Sequence, residues 1–206
     1  MTLDALEAIT TARAIRRLRP DPVPLPLLAS LVEAATMAPT PQGEEGWRFL
    51  VVTDRSTLAE LGRLHAEVFA TVRRHLERTL EPKLFASVAV LGEHLGDVPA
   101  LILVGGTGAP TEAAPVGEFR SWYAGLLPAA QNLLVAARAH GLGATLTTLL
   151  LAGAEPAVKE LLGVPDDVSF AAAVPVGWPI GRHGKPRRKP VAEVAYLDRW
   201  GEAFRT

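Results

Sequence analysis

The chain has 206 residues, with 21 Lys plus Arg against 22 Asp plus Glu and a net charge of -1, so it lacks the uniform basic field of a general nucleic-acid binder. It has no cysteine, which excludes disulfides, thiolate nucleophiles, iron–sulfur clusters and Cys-type zinc sites, and which suits a reducing compartment. With 49% hydrophobic residues, 18 Gly and 17 Pro, the composition is that of a packed globule, and the length fits one domain over residues 1–206.

The start, MTLDALEAI, carries two acids where a targeting peptide carries bases. The longest uncharged run, the 16 residues from Ala139 to Ala154, holds a His, three Gly and three Thr, and is too short and too polar for a bilayer span. A cytoplasmic protein without membrane or nucleic-acid partners is therefore expected. The mean hydropathy of +0.20 is high for a lone soluble chain and points to apolar surface covered by a second subunit.

Asp4 with Glu7 reads as a capping pair that opens a helix over Ala5 to about Arg17, with Leu6 and Ile9 inward and Pro20 as its stop. RPDPVP is a rigid extended connector. Leu28, Leu31, Val32 and Ala35 fall at helical spacing, and APTPQGEEG is a turn-rich close. WRFLVVT, from Trp47 to Thr53, reads as a strand. Ser56 or Thr57 can cap a following helix whose inner face is Leu61, Leu64, Val68, Val72 and Leu76. Residues 79–98 are weakly patterned and read as loop with a short helix.

Pro99 to Val104 is a second, buried strand, and Gly105, Gly106 and Gly108 read as its loop. From Phe119 to Ala139 the chain is apolar nearly all round a helix, which predicts burial on more than one side. Gly141 stops it, Ala144 to Thr147 is a short strand, Glu155 to Leu162 a helix ended by Gly163, and Phe170 to Val176 a further buried strand. Interleaved helices and strands place the fold in the α/β or α+β class.

No nucleophile elbow, zincin helix or Walker loop is present, and no two of the five histidines stand at a ligand spacing, so neither a catalytic side chain nor a metal site is expected. Gly106 with Gly108, and Gly141 with Gly143, make only partial dinucleotide fingerprints and read as turns. His65, His75, His94, His140 and His183 carry no evident role. The bases are more informative. Arg13, Arg16, Arg17 and Arg19 crowd one end, and Arg182, Lys185, Arg187, Arg188 and Lys189 the other, so nine of 21 bases sit in two short segments. A phosphate near charge -2 would satisfy both clusters if the fold joined the ends; two solvated surfaces are the alternative.

The order ARAIRRLRPDPVP, LLASLVEAATMAPTPQGEEGWRFLVVTD, PAAQNLLVAARAHGLGATLTTL, LGVPDDVSFAAAVPVGWP and RRKPVAEVAYLDRW resembles the FMN-dependent nitroreductase family, from about Leu6 to Trp200. The resemblance implies an α+β fold with a mixed sheet wrapped by helices, an intertwined homodimer with helix 119–139 at its centre, and one FMN in each of two interface pockets. It implies an NADH- or NADPH-driven oxidoreductase that reduces a small-molecule electron acceptor, nitroaromatic, quinone or similar, by ping-pong transfer.

Carried over by position, Arg13 would be the phosphate ligand, beside Ala14, which stands where many relatives have Ser. Arg16 or Arg17 would reach the ribityl chain and ring edge, and Arg187 and Arg188, with Lys185 in reserve, would close over the phosphate. Leu146, Thr147, Thr148 and Leu149 match the stretch that faces the flavin ring, and Thr40 and Gln42 match the loop at its pyrimidine side. Trp122 or Tyr123 would stand near substrate. In that loop Gly43 replaces the family's Asn, and Glu44 and Glu45 add two acids. Either they turn to solvent, or the flavin's potential or its site is altered. Altered cofactor use (a deazaflavin, or flavin as substrate) and flavin storage without turnover stand as alternatives.

Overall fold

A computed structural model describes residues 3–43, 45–111 and 113–204. Six α-helices and four strands alternate in the order α1 (Ala5–Thr11), α2 (Leu25–Thr36), β1 (Trp47–Val52), α3 (Arg55–Thr79), α4 (Pro82–His94), β2 (Ala100–Thr107), α5 (Val116–Ala139), β3 (Gly143–Ala144), α6 (Leu149–Leu162) and β4 (Val168–Gly177). The strands form one sheet, β1-β2-β4-β3, in which every named pair is antiparallel. The four-stranded sheet is thus antiparallel and not the mixed sheet expected; the parallel contact is an isolated bridge from Ala14 to Ala144.

Strand alternation divides the core in two. Ile102, Val104, Ala172 and Val174 face α2 and α5, where Leu28, Leu31, Ala35, Ala130 and Leu133 pack against them. Leu101, Leu103 and Ala173 face the other way, onto Leu58, Leu61 and Leu64 of α3 and Leu150 and Val158 of α6. Each fully buried leucine contributes roughly 1.5–3 kcal/mol, so the helix-sheet-helix sandwich is held by both layers. Because β2 and β4 are covered on both faces, they read in sequence as continuous apolar runs.

The first helix is shorter than its sequence pattern suggests. It ends at Thr11, and at Ala12 the backbone turns extended (φ -62°, ψ 128°). Ile15 N–H then donates to Ala144 O at 3.0 Å, Arg19 N–H to Trp178 O at 2.8 Å, and Ile180 N–H to Arg17 O at 2.9 Å. Pairing with β3 and with the chain leaving β4 outweighs helix propensity here, so Arg13, Arg16 and Arg17 lie on an extended strip and do not share a helix face. Leu6 and Ile9, expected inward, are 71% and 53% exposed. Gly143 permits this close approach: a Cβ there would stand 2.8 Å from the side chains of both Ile15 and Leu18.

Other boundaries shift for local reasons. Residues 82–94 form a full helix, α4, started by Pro82 at its first position. The cap of α3 is Asp54, not Ser56 or Thr57; its carboxylate accepts from the Thr57 N–H at 2.8 Å and from both neighbouring hydroxyls, which hold its pKa down to about 2. Gly105 and Gly106 belong to β2, where a Cβ on Gly105 would meet Ser169 O at 2.3 Å, and Gly143 belongs to β3, so these glycines serve close packing and not turns. Helix α6 begins at Leu149, six residues before the expected Glu155, so Leu149 is its first residue and not part of a loop.

Candidate functional site: a basic cleft between the chain ends

The extended strip after α1, the C-terminal half of α5, the β3 segment and the arm after β4 enclose a cleft of about 530 Å³. Arg13 and Arg16 enter from the strip, Arg138 from α5, and His183, Lys185 and Arg188 from the arm. Ala14, Ala144, Thr145 and Leu146 complete its wall, and no carboxylate side chain lines it among the described residues. Five cations and a histidine on one concave surface, in a chain of net charge -1, make this cleft locally electropositive.

The cations are held differently. Arg138, whose side chain is 14% exposed, donates through Nε to Thr11 Oγ1 at 2.8 Å and lies 3.9 Å from a Glu7 carboxylate oxygen, so it fastens α1 to α5 at the cleft's edge. Arg16 is half-buried and donates to Ser87 Oγ of α4 at 3.3 Å. Burial draws its guanidinium below the usual value, yet an arginine stays charged at any physiological pH. Arg13 and Arg188 are exposed toward the cleft mouth, and Arg188 donates to the Arg187 carbonyl at 3.0 Å. Both ring nitrogens of His183 are enclosed without a hydrogen-bond partner among the described residues. Burial, and after it the charge of Arg138, hold its imidazole below the ordinary histidine value.

Of the residues singled out in the sequence, Arg13, Ala14, Arg16, Leu146, Lys185 and Arg188 line this cleft, whereas Arg17 and Arg187 do not. Thr147 pairs with Ala173 at 2.9 Å in both directions, Thr148 immediately precedes α6, and Leu149 N–H donates to Thr147 Oγ1 at 3.3 Å. Arg138 and His183 went unassigned in the sequence. The available signal for Arg138 was a charge near the end of the largely apolar second half of α5; for His183, whose neighbours come from three distant segments, there was none.

A second, smaller cleft of about 320 Å³ lies at the other end of α5, lined by Pro41, Trp47, Thr107, Glu118, Ser121 and Trp122 among others. The Trp122 indole donates to Thr107 O at 3.1 Å, and the Tyr123 ring meets it edge-on at 5.0 Å while being 42% exposed. Thr40 is half-buried and precedes the 3-10 turn Pro41–Gly43. Glu45 is exposed, while Glu44 and the side chain of Gln42 lie outside the described residues. Along α5 the two clefts come nearest at Leu126 of the smaller one and Gln131 of the basic one, about 7.5 Å apart at 1.5 Å per residue.

Comparison with known proteins places this geometry. The sequence pattern of the Nitroreductase family matches residues 9–178. A protein named NADH dehydrogenase from Thermus thermophilus is 30% identical over 205 residues, covering 93% of this chain and 95% of that one. Nitroreductase A from Vibrio parahaemolyticus shares the fold at a TM-score of 0.72, with 17% identity over 98% of this chain and 79% of its own. Oxidised iodotyrosine deiodinase bound to FMN and 3-iodo-L-tyrosine shares it at 0.72, with 21% identity over 96% and 99%. The strip after α1, both sheet faces and α5 all fall inside the matched span, and the chain belongs to the nitroreductase family, as a flavin oxidoreductase.

Proposed function

We propose that the protein is an FMN-dependent NAD(P)H oxidoreductase whose basic cleft holds the FMN phosphate. The observation that carries the reading is the convergence of Arg13, Arg16, Arg138, Lys185 and Arg188 on one concave surface free of lining carboxylates. Such a set fits a phosphate dianion at the end of an elongated ligand and gives no reason to expect a neutral one. The FMN-bound iodotyrosine deiodinase of the same fold supports that choice of ligand. The chemistry FMN supplies when bound is two-electron transfer from NADH or NADPH to an electron-poor acceptor, a nitroaromatic, quinone or similar, in ping-pong order.

The chain's own residues bind and orient. Arg13, Lys185 and Arg188 neutralise the phosphate at the mouth. Arg16, anchored by Ser87, places a fixed positive charge deeper in the cleft, where it favours electron-rich atoms. Thr145 and Leu146 line the cleft and would form part of the wall that holds the rest of the cofactor. Glu45 is exposed in the single chain and does not line its own basic cleft.

The functional unit in this reading is a homodimer. Val116, Tyr123 and Leu127 leave an apolar stripe along α5, and Leu6, Ile9, Val191, Val194 and Trp200 add exposed apolar surface on α1 and the arm. A second copy over these surfaces covers them and brings the Thr40 and Trp122 region of one protomer to the basic cleft of its partner. The test is the visible spectrum of the purified protein, identification of the released cofactor, and anaerobic reduction by NADH or NADPH. Released FMN and bleaching by either nucleotide support the reading; a colourless protein that takes up no added FMN refutes it.

A further inference from the structure

His183 belongs to no part of the reading above, yet it lies in the basic cleft. It stands on the arm beyond β4 with both ring nitrogens enclosed and unpartnered among the described residues. The charged groups around it come from three segments: Arg13 and Arg16 from the strip after α1, Arg138 from α5, and Lys185 and Arg188 from the arm. No carboxylate lines the cleft among the described residues, and Glu7 of α1 lies 3.9 Å from Arg138 at its edge. An imidazole shielded from solvent among five cations, with the backbone of Gly141 and Leu142 close to its ring, is a costly place to hold a proton in the free protein.

We propose that His183 is a proton-linked partner of the phosphate: on entry of a phosphate monoester dianion into the basic cleft it takes one proton from solvent and stands beside the dianion as an imidazolium. The inference rests on the reading of this cleft as the FMN phosphate site. In the free protein, burial and the charges of Arg138 and Arg13 keep the ring neutral, despite the nearby backbone of Gly141 and Leu142, which favours the proton. The dianion reverses the local sign of charge, so the imidazolium becomes the favoured form. The bound state then holds one more proton than the free state. Linkage fixes the direction: FMN affinity rises as pH falls from about 8.5 toward 6.5, and the gain ends near pH 6, where the phosphate itself protonates.

The experiment is titration calorimetry of FMN into the full-length, flavin-freed protein at pH 7.5, in two buffers of different ionisation enthalpy, which counts protons taken up. Wild type is expected to take up protons, and His183→Gln, which keeps a hydrogen-bonding group but cannot be charged, to take up none. The phosphate can only release protons on meeting arginines, so it cannot imitate the signal. Riboflavin, which lacks the phosphate, should bind without uptake. In parallel, the wild-type Kd from flavin fluorescence quenching should tighten about tenfold between pH 8.5 and 6.5, and that of His183→Gln should stay flat. FMN binding without proton uptake in wild type, or equal uptake in the variant, overturns the inference and leaves the cofactor reading intact. Absence of FMN binding in wild type sinks the cofactor reading, and the proton count with inorganic phosphate then decides His183 alone. Should the variant not fold, the wild-type count against riboflavin still decides.

Discussion

Arg13 and Arg188 come from opposite ends of the chain and line the same cleft, which makes a double-mutant cycle the most direct test of the anion site. A charge-assisted hydrogen bond contributes roughly 1.5–3 kcal/mol, so Arg13→Ala and Arg188→Ala should each weaken FMN binding about 10- to 150-fold. Arg188 donates to its neighbour's carbonyl before any ligand arrives and must exchange that bond, so its loss should fall in the lower part of this range. If one phosphate is shared, the double variant loses less than the sum, because residues with a common partner are coupled. The control is Arg19→Ala: Arg19 is outside the cleft, 3.6 Å from an Asp21 carboxylate oxygen and over the Trp178 ring. The readout is FMN Kd by fluorescence quenching at two salt concentrations, since exposed charges are screened and the single losses should shrink at high salt. Equal, small losses in all variants, Arg19→Ala included, would return both clusters to solvated surface charge.

Gly143→Ala should lift the Arg13–Arg16 strip off β3, destabilising the fold by roughly 1–3 kcal/mol and weakening FMN retention together, as followed by thermal melts and the flavin spectrum. Leu127→Glu, on the exposed stripe of α5, should convert a homodimer to monomers in light scattering; an unchanged mass would place the interface elsewhere. His65 is buried beneath α4, with Nδ1 3.3 Å from Gly92 O, and burial depresses its pKa. The unfolded state therefore binds the proton more tightly, and stability falls as pH drops below the unfolded value of about 6.5 toward the folded one. Denaturant melts of wild type and His65→Leu between pH 7.5 and 5 should show a steeper acid loss in wild type.

The sheet and the helices around it were legible in the sequence because their signals are local. Continuous apolar runs marked β2 and β4, the Leu28 to Ala35 spacing marked α2, and Gly141 and Gly163, at positive φ, marked the ends of α5 and α6. The segment after Thr11 was not legible, since its apolar and basic residues fit a helix as well as a strip, and the choice is made by Ala144, Trp178 and Ile180, far along the chain. Helix α4 was obscured because, of its 13 residues, only Leu91 and Gly92 are fully buried, which leaves little periodicity to read. Of the site, the two clusters of bases were visible as composition; their meeting was not, and neither were Arg138 and His183, whose roles depend on neighbours that only the fold supplies.

The same pairing explains why the bases could be concentrated without disrupting the fold. Neither crowded segment is helical, so its bases are not stacked on one face: Arg13 and Arg16 line the cleft, whereas Arg17 and Arg19 are exposed outside it. Had residues 12–19 continued as a helix, Arg13, Arg16 and Arg17 would have faced one way at i, i+3 and i+4, where like charges repel. The strip divides four bases between solvent and cleft, and the arm does the same with Lys185 and Arg188 inside the lining and Arg187 outside it. Residual repulsion inside the cleft is what an anion relieves. Ligand binding should therefore raise the thermal midpoint by mass action, by RT ln(1 + [L]/Kd), about 2.7 kcal/mol at a hundredfold excess over Kd. Inorganic phosphate should do so measurably in wild type and less in Arg13→Ala/Arg188→Ala. A midpoint that responds equally in both proteins would show that the anion binds somewhere other than between the chain's two ends.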